Sequence, residues 1–215
     1  MRCMLQRRKI WLTKNLLYQL NYYRTVIKLG NTYFTADTHF GHNNIIEYCS
    51  RPFKDVDEMN KTLIDNINSV CSTRDTLLHL GDFCFVGSIT NSAGNSIHQP
   101  DYYFSLIDPQ VIIIRGNHDS RATTGGSIIQ DMTIKTGGQY IYCSHEPYPK
   151  LNINFSGHVH GMYKVVKMGH KYVVNVGVDV WDYSPIDINQ ALEAIQEHRH
   201  YFSGKAKKFP IQVRV

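Results

Sequence analysis

Aspartate and histidine side chains follow an apolar run near the start of the readable part of this sequence. The stretch YFTADTHFGH, residues 33–42, ends a strand-like segment in Asp37, His39 and His42. Carboxylates and imidazoles are costly to bury unless a partner compensates them. A metal ion is one such partner, so the question is whether the rest of the chain supplies further ligands.

Four later clusters contain side chains of the same kinds. They are GD at 81–82, GNHD at 116–119, SH at 144–145 and GHVH at 157–160. Ligands bind at the carboxyl ends of strands in α/β sheets, so clusters at several strand ends can form one site. Carboxylates and imidazoles suit manganese, iron, zinc or nickel, and the absence of thiolates argues against a structural zinc site.

The elements that must position these clusters alternate along the chain. Apolar runs at 32–36, 76–80 and 111–115 predict strands, and further strands are expected near 139–143, 152–156 and 172–176. Apolar residues at helical spacing after Asp55 and after Asp187 predict two helices with aspartate at the N-cap. This alternation is typical of an α/β fold.

Charge is distributed unevenly along the 215 residues. The net charge is +5, but residues 1–28 hold seven basic side chains and no acidic one, which leaves 16 basic against 18 acidic residues in the remainder, a net of −2. We therefore predict a basic N-terminal extension at 1–30 and one domain at 31–215. A slightly acidic domain does not favour a broad nucleic-acid-binding surface.

Cysteine usage and hydropathy limit the compartment. The five cysteines are odd in number and form no CxxC pair, which favours a reducing, cytoplasmic location over a disulfide framework. No apolar run approaches 18 residues, so no membrane span is expected.

The motifs DTH, GD, GNHD, SH and GHVH, in this order, closely resemble those of the calcineurin-like metallophosphoesterases. The resemblance covers roughly residues 31–186 and implies a four-layer αββα sandwich of two mixed sheets flanked by helices. It also implies two divalent metal ions, with manganese as the expected species. The ligands it implies are Asp37, His39, Asp82 and His160 for the first metal, and Asp82, Asn117, His145 and His158 for the second.

The same resemblance suggests roles around the metals. His118 is the expected general acid, which protonates the leaving oxygen or contacts the phosphoryl group, and Asp119 is expected to orient it. Apart from the resemblance, His42, Arg51 and Arg121 are candidates for binding the substrate phosphate, the two arginines through paired hydrogen bonds. The alternatives are that His42 caps the following helix or lies behind the metal ligands, and that each arginine is a surface charge.

The function implied is hydrolysis of phosphate mono- or diesters, and we expect a small or nucleotide-type substrate. The runner-up is a nuclease that acts on DNA or RNA ends, which only the basic N-terminal extension supports. A non-catalytic interaction scaffold is a third reading, because some relatives of the fold have lost ligands. Every ligand position is filled in this sequence, which favours the enzyme.

Overall fold

The computed structural model describes residues 30–85, 99–119 and 129–202. The predicted extension at 1–30 lies outside these ranges except for its last residue, so it stays a prediction. The described residues from Asn31 onward form one compact unit. No helix within the described ranges is long and apolar enough to cross a membrane.

Strands and helices alternate over residues 32–113, as the sequence predicts, whereas residues 131–175 form five strands with no α-helix between them. The strands are β1 (Thr32–Thr35), β2 (Thr76–His79), β3 (Gln110–Ile113), β4 (Asp131–Thr136), β5 (Gln139–Ser144), β6 (Ile153–Ser156), β7 (Val165–Met168) and β8 (Lys171–Asn175). The α-helices are α1 (Asn44–Tyr48), α2 (Val56–Val70), α3 (Pro100–Leu106) and α4 (Ile188–Phe202).

Two sheets organise these strands. The first has the order β1-β2-β3, with all three strands parallel, and Ile186 adds an antiparallel bridge to Phe34 at its edge. The second is mixed and has the order β4-β5-β6-β8-β7, in which the three central strands run parallel. Parallel pairing within each sheet brings several strand ends to the same edge.

Both predicted helix caps are confirmed. The Asp55 carboxylate accepts a hydrogen bond from the Glu58 backbone N–H at 2.8 Å and so begins α2. The Asp187 carboxylate accepts from the N–H groups of Asn189 and Gln190 at 2.7 and 2.9 Å at the start of α4. Each cap satisfies backbone donors that the first helical turn leaves unpaired.

The core divides into two apolar clusters, one on each face of the first sheet. Between the two sheets, Phe34 meets Phe155 edge to face at 4.8 Å, and α4 contributes Ala191 and Ile195 to this cluster. On the opposite face, helix α2 buries a stripe of residues four apart against Leu77, namely Met59, Leu63 and Ile67. The predicted α/β sandwich of two sheets flanked by helices is confirmed.

Candidate metal centre

The seven candidate ligands lie just beyond the carboxyl ends of strands in both sheets. Those of the first sheet follow β1, β2 and β3, and those of the second follow β5 and β6. Their close approach is therefore a direct result of strand direction. In chain order these side chains are Asp37, His39, Asp82, Asn117, His145, His158 and His160.

Five of these seven residues have left-handed backbones, although none is glycine. The φ angles are 57° at Asp37, 49° at His39, 57° at Asp82, 71° at His158 and 48° at His160. A non-glycine residue in this region costs on the order of 1–3 kcal/mol and persists only where its surroundings fix it. Strain of this kind concentrates at functional sites, and here it turns the side chains away from the course of the strands.

The Asp82 carboxylate lies between two imidazoles. Its Oδ2 is 3.6 Å from His39 Nε2 and 3.4 Å from His145 Nε2, while Oδ1 accepts a hydrogen bond from the His118 backbone N–H at 2.9 Å. The side chain is only 2% exposed. The carboxylate therefore lies within reach of a histidine from each of the two sheets.

His145, His158 and Asn117 form one side of the centre. The His145 Nδ1–H donates to the Leu80 carbonyl at 2.8 Å, so Nε2 carries the lone pair in the neutral ring. This Nε2 is 2.8 Å from Asn117 Oδ1 and 3.3 Å from His158 Nδ1. Two acceptor atoms, His145 Nε2 and Asn117 Oδ1, therefore face each other, and a proton or a metal cation between them removes the repulsion.

Asp37, His39 and His160 form the other side. One ligand atom from each lies within 4.8 Å of the others, and a second such group joins Asp37 to Asp82 and His145. The buried Nε2 of His39 has no hydrogen-bond partner among the described residues. An unpartnered buried nitrogen that faces carboxylates fits a metal ligand.

The electrostatics of the unliganded side chains agree with a cation site. Burial raises the pKa of the Asp37 carboxyl to about 6 and lowers the pKa of His39 to about 3. Burial alone would also lower the pKa of His160, but its hydrogen bond to Asp179 raises it to about 10. Of these three groups only His160 therefore carries an added positive charge at neutral pH, and a metal bound at its ring would displace one proton.

Two glycines leave room for the carboxylates of the centre. A Cβ at Gly116 would lie 2.2 Å from Asp82 Oδ1, and one at Gly177 would lie 2.7 Å from Asp37 Oδ2. Both distances are shorter than any side chain tolerates. The backbone therefore approaches the two carboxylates closely enough to fix where they point.

The rings of His118 and His42 both lie next to His39. The ring centroids lie 5.5 Å from His39 for His118 and 5.4 Å for His42. His118 is exposed, and His42 is half-buried and stacks on Phe85 at 4.8 Å. Both rings are placed where a substrate bound at the metals could meet them.

Asp119 does not orient His118 as the sequence suggested. Its buried carboxylate accepts three backbone hydrogen bonds, from the N–H groups of Asp82 at 2.8 Å, Phe83 at 3.0 Å and Gly116 at 2.8 Å. It therefore ties the loop after β2 to the loop after β3. The sequence motif identified a carboxylate at this site, but its partners depend on how the two loops fold together.

The expected phosphate contact of Arg51 also does not fit the structure. All five N–H groups of its buried guanidinium face acceptors within the protein, chiefly Asp179 and the carbonyls of Asp37 and Thr38. None is left for a substrate. Arg121, the other predicted phosphate ligand, lies outside the described residues.

His79 and Asp179 are buried polar residues that the motifs did not predict to be important. Asp179 follows the β8 strand end in NVGVD, so the strand-end pattern that found the other carboxylates also applied to it. His79 ends β2 and is fully buried beside Thr38, with 2.9 Å between His79 Nε2 and Thr38 Oγ1.

The ring of His79 is neutral, and the protein should therefore become less stable as the pH is lowered. The Thr38 hydroxyl donates to the Phe83 carbonyl, so it accepts from His79 Nε2–H, and Nδ1 has no partner among the described residues. Burial lowers the pKa of His79 to about 3. Near pH 6.5 the unfolded chain therefore binds a proton at this histidine, whereas the folded protein does not.

The contribution of His79 to the free energy of unfolding is fully present above pH 6.5 and decreases as the pH drops toward 3. Between pH 7.5 and pH 5.5, metal-free wild type should lose about 1.4 kcal/mol more unfolding free energy than His79→Gln. Urea titrations of both proteins at the two pH values measure the difference. Equal losses would mean that His79 titrates normally in the folded protein.

Two packed sheets that present carboxylates and imidazoles at their strand ends define a metal-dependent phosphoesterase. The sequence model of the calcineurin-like phosphoesterases matches residues 30–175. An uncharacterized protein of Methanocaldococcus jannaschii is 31% identical over 179 residues, which are 80% of this chain and 94% of that protein. This chain therefore belongs to the calcineurin-like phosphoesterase family.

A solved structure supports the fold. The crystal structure of a protein of unknown function from Aquifex aeolicus has a TM-score of 0.57 at 24% identity. The similarity covers 76% of this chain and 98% of that one. It shows the same sandwich and does not bear on the substrate.

Proposed function

We propose that this protein hydrolyses phosphate mono- or diesters at a centre of two divalent metal ions, with manganese as the expected metal and iron, zinc or nickel as alternatives. The observation that carries the proposal is the Asp82 carboxylate, whose Oδ2 lies 3.6 Å from His39 Nε2 and 3.4 Å from His145 Nε2. A carboxylate between two imidazole groups suits two cations better than one.

The ligand set divides around Asp82. One ion would be held by Asp37, His39, Asp82 and His160, and the other by Asp82, Asn117, His145 and His158. When bound, two such ions polarise the phosphoryl oxygens and lower the pKa of a water molecule. The protein itself keeps these ligands in fixed positions. The loops with positive φ angles and the glycines that approach the carboxylates support this role.

His118 would then serve as the general acid. Its ring lies beside His39 and is exposed, so it can reach a leaving oxygen at the metals. Its backbone N–H is bonded to Asp82, which fixes the residue without engaging the ring. His42 would contact the phosphoryl group.

A cavity beside the centre supports a small or nucleotide-type substrate. It has a volume of about 440 Å³, within the usual range for small-ligand sites, and Asn117 and His145 form part of its lining. Arg115 adds an exposed cation, and Tyr148, 65% exposed, adds a ring on which a base can stack. The net acidic domain gives no comparable support to a nuclease.

Tyr148→Ala should raise the KM for a nucleotide substrate about tenfold and leave kcat nearly unchanged, because stacking is worth about 1–3 kcal/mol per base. Steady-state kinetics on a cyclic nucleotide measures this. Tyr140→Ala is the matched control, since Tyr140 is 60% exposed on β5 but does not line the cavity. Equal effects of the two variants on KM would show that the cavity does not bind the substrate.

The function is tested with EDTA-treated and manganese-loaded protein on a panel of substrates. The panel contains bis-p-nitrophenyl phosphate, p-nitrophenyl phosphate, cyclic nucleotides and single-stranded DNA. We expect turnover of a small ester that EDTA removes and manganese restores. Turnover of DNA alone would establish the nuclease, and protein with two bound ions but no turnover would establish the scaffold.

We also propose a reducing, cytoplasmic compartment and a basic extension at 1–30 ahead of a catalytic domain at 31–215. The odd number of cysteines and the lack of a CxxC pair in the sequence support the first point. The second rests on the charge distribution of the sequence.

A further inference from the structure

A buried ion pair lies directly behind the candidate metal centre. The guanidinium of Arg51 binds both oxygens of Asp179, with Nε 2.8 Å from Oδ1 and Nη2 3.1 Å from Oδ2. The side chains are 0% and 4% exposed. A buried ion pair is favourable only if its remaining hydrogen-bond donors and acceptors also have partners. These other partners indicate which parts of the metal centre the pair positions.

The remaining donors of Arg51 bind the loop that carries two of the ligands. Nη2 donates to the Asp37 carbonyl at 2.7 Å, and Nη1 donates to the Thr38 carbonyl at 3.1 Å. These carbonyls belong to the two peptide units that join Asp37 to His39. Since both of those residues have positive φ, the guanidinium holds the loop in its strained form.

The remaining contact of Asp179 is to a third ligand. Its Oδ2 lies 2.9 Å from His160 Nδ1 and accepts the proton of that nitrogen. In the neutral ring the lone pair is then on Nε2, the tautomer that a metal requires. The ring stacks on His39 at 5.3 Å and belongs to the ligand group with Asp37 and His39.

We propose that Arg51 and Asp179 are positioning residues for one of the two metal positions. Through backbone carbonyls they fix Asp37 and His39, and through a side-chain hydrogen bond they fix the ring and tautomer of His160. One buried pair thus controls three ligands of the same ion. The selectivity for one position rests on the proposed two-metal centre.

The second metal position has different supports. His145 is held by the Leu80 carbonyl, and the backbone of the Asp82 loop is held by Asp119. Neither support contacts Arg51 or Asp179. The Asp37 carboxylate also accepts from the His158 backbone N–H at 2.9 and 3.0 Å, but this bond does not use the Asp37 carbonyl that Arg51 holds. Loss of the pair should therefore weaken one ion and leave the other nearly unchanged.

Cys49 offers a competing explanation that the charges disfavour. Its thiol, His160 and Asp179 have ligand atoms within 4.8 Å of one another, which would suit a separate metal ion. Both oxygens of Asp179 already face the positive guanidinium of Arg51, which repels a further cation. We therefore assign the carboxylate to the His160 ring and give the thiol no metal.

The test uses a double variant that removes the pair without leaving a buried charge unpaired. In Arg51→Met with Asp179→Asn, calorimetric titration with manganese should show one ion bound 10–100-fold more weakly, about the usual effect of losing a residue that orients a ligand, and one ion unchanged. The control is Lys61→Met with Asp65→Asn, an exposed ion pair on α2. It should bind both ions as the wild type does.

Two further measurements keep the test decisive. Arg51→Lys retains the charge beside Asp179 but not the fork that reaches both carbonyls, and it should weaken the same ion. In zinc-loaded protein, ¹⁵N NMR should show a proton on His160 Nδ1 that exchanges slowly with water, and this proton should exchange faster in the double variant, which lacks the Asp179 carboxylate. A merely structural role would lower stability without moving either readout.

Several outcomes would overturn the inference. The inference would be overturned if the double variant bound every metal ion with the affinity of the wild type. This holds even if the wild type binds only a single ion. Weaker metal binding in Cys49→Ser would show that the thiol is a ligand. A wild type that binds two ions and hydrolyses nothing would refute the proposed function alone and leave the positioning role intact.

Discussion

Asp82→Asn is expected to deplete bound metal and abolish hydrolysis together. Its carboxylate is buried between His39 and His145 and would contribute to both ions, so an amide removes one negative charge from each position. Metal analysis after desalting should find less than one ion per chain. Activity on an aryl phosphate should fall by at least about 10⁴-fold, a barrier increase above ~5 kcal/mol.

The matched control removes a carboxylate from the opposite end of the same strand. Asp75 precedes β2 and accepts hydrogen bonds from Asn31 N–H at 2.7 Å and from Ser72 N–H and Oγ–H at 2.7 and 2.6 Å. Asp75→Asn should cost about 1–3 kcal/mol of unfolding free energy and leave metal content unchanged. Two ions retained in Asp82→Asn would show that the carboxylate does not bridge.

The sequence was informative where chemistry depends on residue type and chain order. Apolar runs followed by Asp or His predicted both the strands and the convergence of their ends, because parallel pairing allows few alternatives. The caps at Asp55 and Asp187 were equally local, since the side chain and the backbone donors it satisfies are within three residues.

Roles that depend on distant contacts could not be predicted in this way. Arg51 and Asp179 are 128 residues apart, and nothing local separates a phosphate-binding arginine from one that binds a carboxylate inside the protein. Asp119 lies in a motif, yet its partners at Asp82 and Phe83 are 37 and 36 residues away. The left-handed backbone of the ligands is likewise a property of the folded loops.

The exposed ring of His118 yields the sharpest test of the proposed chemistry. His118→Asn should retain both metal ions, because the proposed ligand set does not include this ring and the backbone bond to Asp82 does not need the side chain. Turnover should nevertheless fall by about 10²–10⁴-fold, the usual contribution of a positioned acid. Metal analysis and kinetics on the same preparation separate the two effects. His170→Asn, an exposed histidine in the turn between β7 and β8, is the control and should change neither.

The leaving group distinguishes the ways in which His118 could act. A nitrophenolate needs little protonation as it departs, so the variant should lose least on p-nitrophenyl esters. An alkyl or nucleoside oxygen must receive a proton, so the loss should be greater there, and a plot of log kcat against leaving-group pKa should become steeper in the variant. Parallel plots for the two proteins would mean that His118 stabilises phosphoryl charge or positions the ester instead. Loss of metal from the variant would show that His118 is a ligand, and the proposed ligand set would then be wrong.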